Sequence, residues 1–250
     1  MNSSRVFRAL LAPASLLVLV GGASPSLAFD GERRGGLGVS APRAAVVGSS
    51  SVKGVLGRLI ESELERKGYS VDRLGVVGAG LARPDYRDMH ALVAKVPIDA
   101  DTAAVFIYLG VNDAQSIRLL PEDRQTTDQQ WLKWNDPRWS VVYRRRAQRL
   151  FESLCRRGAR HVIVMLPVEV MKPRLERRLR RIRALQRQAA ERVSCATAIS
   201  TVRDGAELIA DEPTRRKDGI HLTKEGARRV WERVKRRAAL ALPSAGRWAR

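Results

Sequence analysis

The chain has 250 residues, enough for one well-buried domain and too few for two of ordinary size. A hydrophobic share of 44% suits a globular protein, while 46 Lys and Arg against 26 Asp and Glu give an extreme formal charge of +20. A pI near 11.2 calls for an anionic partner or a heavily solvated surface.

Arg5 and Arg8 lead an apolar run over residues 9–20, and Ser26-Leu27-Ala28 is a small-x-small site, so residues 1–28 read as a secretory signal cleaved after Ala28. Pro13 and Gly21-Gly22 leave that run short of the ~20 residues a membrane span needs. The expected location is therefore periplasmic or secreted. Residues 29–42 form a Gly-rich, charged lead-in, 43–242 the domain, and 243–250 a basic tail.

Within the domain a short strand over 44–47 ends at Gly48. Val52, Val55, Leu56, Leu59, Ile60 and Leu64 then repeat at helical spacing over 52–67. A second strand is predicted over 69–77, and a third over 103–109, apolar enough to be buried on both faces of a parallel sheet. Residues 119–140 are polar and aperiodic, carry Trp131, Trp134 and Trp139, and read as a long loop or lid. A helix over 141–157 leads to a strand over 161–166 that Pro167 closes. Leu175, Leu179, Ile182, Leu185, Ala189 and Val193 make one apolar stripe on a helix whose other faces are almost all arginine. A strand over 196–199, a loop over 202–222 and a last helix over 223–240, capped by Thr223, complete the pattern. Strands alternating with helices predict a doubly wound α/β sheet, in which ligands bind beyond the carboxyl ends of the strands.

Four strand-to-helix loops hold polar residues in such places. Gly48-Ser49-Ser50-Ser51-Val52-Lys53-Gly54 puts a serine hydroxyl beside free backbone N–H groups at a helix start, where developing negative charge is favoured. It is not a phosphate-binding P-loop, because Lys53 precedes Gly54. Nor is it a G-x-S-x-G elbow, because Val52 stands where glycine is needed. Gly78-Ala79-Gly80-Leu81 lets backbone approach a ligand closely, or is an ordinary turn. Gly110-Val111-Asn112-Asp113 ends the buried strand with an amide, or forms a turn and cap. Asp218-Gly219-Ile220-His221 has the spacing for a carboxylate to hold an imidazole in one tautomer while the ring reaches a serine.

Taken together, in this order, the four blocks resemble those of the SGNH (GDSL-like) hydrolases over roughly residues 43–240. Gly80-Leu81-Ala82-Arg83-Pro84-Asp85 and Asn112-Asp113-Ala114-Gln115 resemble the exported bacterial DUF459 group within them. The resemblance implies a three-layer, flavodoxin-like α/β fold with a five-stranded parallel sheet and serine chemistry on small acyl esters. It implies Ser50 as nucleophile, His221 as base, Asp218 as its partner, and an oxyanion site from Ser50, Gly80 (or Gly78) and Asn112. Ser49 departs from the family's aspartate in the G-D-S block; that residue is not the nucleophile, so the departure bears on loop geometry and rate more than on reaction type.

Cys155 and Cys195 admit either a disulfide, favoured by export, or burial as small apolar side chains. No metal and no cofactor are expected: two cysteines do not make a four-ligand zinc site, and no histidine lies at ligand spacing from either. His90 and His161 fall in a helix and a buried strand and read as structural. The expected partner is an acyl-ester or acylated-carbohydrate substrate, with the three tryptophans a sugar-stacking surface or packing. The arginine clusters at 144–146, 156–157 and 174–192 offer the alternative of a non-catalytic binder of anionic polymers. Export argues against nucleic acid.

Overall fold

The computed structural model describes residues 41–201 and 212–239. The expected signal segment, most of the lead-in and the basic tail lie outside the described residues.

Five strands form one parallel sheet: β1 (Arg43–Gly48), β2 (Ser70–Gly75), β3 (Thr102–Tyr108), β6 (His161–Met165) and β7 (Ala196–Ile199), in the spatial order β2-β1-β3-β6-β7. The three central strands are nearly all buried because both faces carry helices. On β1, β3 and β6, Ala45, Val47, Val105, Ile107, Val162 and Val164 point into one layer, and Ala44, Val46, Ala104, Phe106, Ile163 and Met165 into the other. The first layer packs against α3 (Met89–Ala94), α4 (Arg138–Arg156) and α5 (Pro173–Ala190). The second packs against α2 (Val55–Glu65) and α6 (Lys224–Ala238). This is the expected three-layer α/β fold.

Strand order reverses around β1, with β2 on one side and β3 on the other. A crevice therefore opens beyond the carboxyl ends of β1 and β3, where such sheets bind ligands. Gly48 and Tyr108, the last residues of these two strands, are direct neighbours there.

Three expectations differ in detail. The helix predicted over 52–67 is two: α1 (Ser50–Lys53) and α2 are separated at Gly54, whose non-helical backbone ends one and starts the other. The stretch 119–140 is not a single loop. Trp131–Leu132 (β5) pairs antiparallel with Ile117–Arg118 (β4), and α4 begins at Arg138. Periodicity could not show this, because the paired segments are only two residues long. Third, Arg183 lies on the buried side of α5, where it forms an ion pair with Glu176 and donates to the Pro167 carbonyl.

Cys155, near the end of α4, and Cys195, just before β7, form a disulfide with their Cα atoms 6.1 Å apart. Among the described residues no helix is long and apolar enough to cross a membrane.

Candidate active site

Ser50 is the first residue of α1, immediately past the carboxyl end of β1. Ser49, nearly fully buried, fastens this turn: its N–H donates to Tyr108 O at the end of β3, and its carbonyl accepts from Val52 and Lys53. The Ser50 side chain is thereby presented at the crevice, and its N–H is one of the first in the helix, which have no partner within it.

His221 arrives from the far end of the sequence. Its Nε2 lies 3.1 Å from Ser50 Oγ, and its Nδ1 2.6 Å from Asp218 Oδ2. With the Nδ1 proton directed at the carboxylate, Nε2 is left as acceptor for the serine hydroxyl. The other carboxylate oxygen, Asp218 Oδ1, accepts from the backbone N–H of Ile220 and of His221, at 2.8 and 2.9 Å. Partial burial pushes the Asp218 carboxyl up, but the His221 ring and these two N–H groups outweigh it and hold the group down at about 2. The carboxylate is thus a permanent anion against the imidazole.

The segment carrying the pair is fixed from two sides. Met171 N–H donates to Gly219 O at 2.8 Å, and Arg215, buried, donates to Glu169 O, so the 166–172 loop after β6 braces it. Thr223 caps α6 as expected, accepting from Gly226 N–H at 3.0 Å.

The Gly80 and Asn112 loops meet each other at the same end of the sheet. Gly110, with φ of +134°, turns the chain sharply out of β3 into a 3-10 turn over Val111–Asp113. From that turn Asn112 Nδ2 donates to Ala79 O at 2.9 Å. The Ala79 carbonyl and the Gly80 N–H belong to one planar peptide, so this bond sets the direction of the Gly80 N–H. The amide retains a second hydrogen.

The residue after Asn112 has no role assigned from the sequence. Asp113 is fully buried, and its Oδ1 accepts from Leu81 N–H at 2.6 Å and Ala82 N–H at 2.9 Å. Its Oδ2 accepts from the Tyr143 hydroxyl at 3.0 Å, and that hydroxyl accepts from Gln186 Nε2 at 2.9 Å. Burial pushes the Asp113 carboxyl up to about 6, against the pull of the Ala82, Tyr143 and Leu81 donors and the Arg146 charge. The available signal was Gln186, a polar residue within the apolar stripe of α5.

Of the three tryptophans between residues 131 and 139, Trp139 is fully buried and stacks on Tyr143, and Trp134 packs against Trp139 with the Arg178 and Arg181 guanidinium groups over its ring. Trp131 is the exposed one, with the guanidinium groups of Arg83 and Arg118 about 5 Å from its ring centroid. Packing therefore accounts for Trp134 and Trp139 rather than sugar stacking. The exposed aromatic beside the Gly78–Gly80 turn is Tyr86, whose ring lies against Gly78. His161 begins β6, at the amino ends of the strands and so opposite to Ser50, and His90 sits half-buried in α3. Among the described residues no group of three or more His, Cys, Asp or Glu could hold a metal ion.

The model of the family described as "Protein of unknown function (DUF459)" matches residues 43–237. The chain belongs to the DUF459 family. Solved structures similar to this DUF459 chain include a lipase/acylhydrolase from Enterococcus faecalis, at 17% identity and a TM-score of 0.56, with 81% of this chain and 98% of that one covered. A member of the lipolytic G-D-S-L family from Veillonella parvula is similar at 15% identity and a TM-score of 0.50, covering 79% and 96%. A catalytic mutant of Axe2, an acetylxylan esterase from Geobacillus stearothermophilus, is similar at 14% identity and a TM-score of 0.52, covering 79% and 94%. At these identities the likeness is one of fold: the DUF459 chain has the SGNH hydrolase fold over nearly the full length of those proteins. No curated protein matches its sequence.

Proposed function

We propose that this chain is an exported serine esterase of SGNH type that removes small acyl groups, O-acetyl above all, from carbohydrate. The observation that carries the reading is the unbroken chain Ser50 Oγ, His221 Nε2, His221 Nδ1, Asp218 Oδ2, at 3.1 and 2.6 Å. In this reading His221 takes the Ser50 proton as the hydroxyl attacks the ester carbonyl, and Asp218 stabilises the imidazolium. The Ser50 N–H, the Gly80 N–H and the free amide hydrogen of Asn112 are the donors for the oxyanion. The imidazolium gives that proton to the departing sugar oxygen as the ester C–O bond breaks, and water, activated by His221, then hydrolyses the acyl-enzyme to the free acid and Ser50; a sugar hydroxyl as acceptor in place of water would make the same site an O-acetyltransferase.

An acetyl ester on a large carrier is supported by the openness of the site, since the Asp218 and His221 side chains are 45% and 43% exposed. A carrier too large to enter a pocket can reach such a pair. The acetylxylan esterase among the structural neighbours is consistent with that chemistry. The Cys155–Cys195 disulfide supports export, because such bonds persist in oxidising compartments.

The test is to incubate the mature protein with a fluorophosphonate and map the label, alongside turnover of a short-chain acyl ester. Label on Ser50, and loss of both label and turnover in Ser50→Ala, is the expected result. Label on Ser49 or Ser51 would move the nucleophile.

A second reading rests on a different surface. Arg144, Arg145, Arg149 and Arg192 line an open groove of about 520 Å3 on the α4–α5 face, with Glu122 and Glu152 among them. Binding of an anionic polymer there would show as retention that falls steeply with salt, from counterion release. If no ester is cleaved and no label taken, this binding function on a hydrolase scaffold is what remains.

A further inference from the structure

The Gly80 backbone is bracketed by two consecutive side chains of a single turn. Asn112 holds the peptide before it, through Ala79 O at 2.9 Å, and Asp113 holds the peptide after it, through Leu81 N–H at 2.6 Å. Two planar peptides held on either side of one residue leave that residue little freedom in φ and ψ. The rest of the segment is tied down as well: Arg146, itself buried, donates to Leu81 O at 2.8 Å, and Arg118 N–H donates to Ala82 O at 2.9 Å.

Asp113 is an expensive way to make such a clamp. A carboxylate with no exposure loses its hydration and must recover it from fixed donors. It recovers three, from Leu81, Ala82 and Tyr143, and the Tyr143 hydroxyl is oriented in turn by Gln186 from the next helix. An apolar side chain in a turn between β3 and α4 would fill the space at lower cost. What it could not do is accept two adjacent backbone N–H groups, and those belong to the segment that presents the Gly80 donor.

We propose that Asp113 is a positioning residue for the reaction at Ser50: seated on Tyr143, it fixes the peptide that follows Gly80 and so holds the Gly80 N–H, whose direction Asn112 sets from the other side, on the ester oxygen. This rests on the catalytic reading of Ser50, His221 and Asp218, and it adds a residue that touches neither substrate nor nucleophile. Preorganised donors act on the transition state more than on the bound substrate, so the effect falls on kcat rather than KM.

The experiment compares wild type, Asp113→Ala, Asp113→Asn and Tyr143→Phe in turnover of p-nitrophenyl acetate and in inhibition by a short alkyl boronic acid, whose adduct with serine carries an anionic oxygen. Circular dichroism and thermal melting establish that each variant is folded. Asp113→Ala is expected to lose about 100-fold in kcat, the size of one missing oxyanion donor, with KM within about 3-fold, and to bind the boronic acid correspondingly less well. Asp113→Asn is expected to restore most of kcat. Its carbonyl oxygen can accept both N–H groups, and the Tyr143 hydroxyl can turn to Gln186 Oε1, a buried acceptor without a partner. Tyr143→Phe, which leaves Asp113 on its two backbone donors alone, is expected to lose about 10-fold in kcat at unchanged KM.

A folded Asp113→Ala with wild-type kcat and boronic acid affinity overturns the proposal. So does an Asp113→Asn variant as slow as Asp113→Ala, which would make the charge, not the acceptor geometry, the active feature. Should Asp113→Ala fail to fold, Tyr143→Phe decides, and wild-type kcat there overturns the proposal. A wild type that takes no fluorophosphonate at Ser50 removes the catalytic reading and this inference with it. A labelled, active wild type beside an unaffected Asp113→Ala removes this inference alone.

Discussion

Gly80 packs directly against Asp113: a Cβ built on Gly80 would overlap the Asp113 Oδ1. The obstacle is a side chain already committed to two backbone hydrogen bonds, so it cannot swing away without releasing them. Gly80→Ala is therefore expected to shift either the carboxylate or the loop. Forced overpacking of this kind costs about 1–3 kcal/mol, and the displaced donor about 100-fold in turnover. Urea unfolding and steady-state kinetics check both numbers. Full activity in Gly80→Ala would mean that this close approach has slack.

Asn112 carries two tasks in the proposed mechanism, orienting the Ala79–Gly80 peptide and offering an amide hydrogen to the substrate. Asn112→Ala removes both and is expected to lower kcat by at least ~100-fold with the fold intact. Ser49→Ala, in contrast, leaves the backbone bonds of Ser49 to Tyr108, Val52 and Lys53 in place, and a mild effect is expected. If the Ser49 change proved as damaging as the Asn112 change, the hydroxyl of Ser49 would have a function the backbone does not show.

The two carboxyl groups of the site should respond to pH in opposite ways. Asp218, held at about 2, stays ionised through the range in which esterases are assayed, so protonation of Asp218 does not set the acid limb of activity. Asp113 is raised from 3.8 to about 6, so between these values the folded protein binds more protons than the unfolded chain, and stability falls as pH rises until it levels above about 6. Asp113→Asn removes that slope. The stability of the variant relative to wild type should rise from pH 4 to pH 7, by an amount on the order of 3 kcal/mol at most. Urea unfolding across this pH range measures it, and a difference that stays constant with pH would show that Asp113 titrates elsewhere.

Much of this arrangement was legible in the sequence, and for identifiable reasons. β1, β3 and β6 announce themselves because a strand buried on both faces must be apolar at nearly every position. Ser50, Gly80, Asn112, Asp218 and His221 stand out as candidates because each sits in a short polar break just after such a strand or before a helix, and their proposed roles come from the resemblance of the four blocks to the SGNH hydrolases. What stayed hidden depends on direction rather than on residue type. Asn112 and Asp113 are adjacent and equally polar, yet one reaches across to Ala79 and the other points into the core, and only the 3-10 turn decides which. Likewise, nothing in a run of arginines distinguishes Arg146 and Arg183, which point inward to Asp123 and Glu176, from their exposed neighbours. The hairpin of β4 and β5 was missed because two-residue strands have no period.

The disulfide offers the last test, and it is independent of catalysis. Cys155 and Cys195 are 40 residues apart in sequence, and their bond joins the end of α4 to the start of β7, closing a loop that contains β6 and all of α5. In the chain-entropy account, a loop of this length restricts the unfolded chain by about 4 kcal/mol, with measured cases commonly lower. The Cys155→Ala/Cys195→Ala double variant is therefore expected to lose about 2–4 kcal/mol in urea unfolding, and wild type should lose a similar amount in the presence of reductant. Because the cross-link limits the unfolded state and sits away from Ser50, kcat and KM of the folded double variant should match wild type. Thiol titration of the unfolded, unreduced protein provides the direct count: no free thiol is expected, and two per chain would mean that the cysteines only pack against each other. A double variant as stable as wild type would show that strain in the cross-linked native protein cancels the restriction of the unfolded chain.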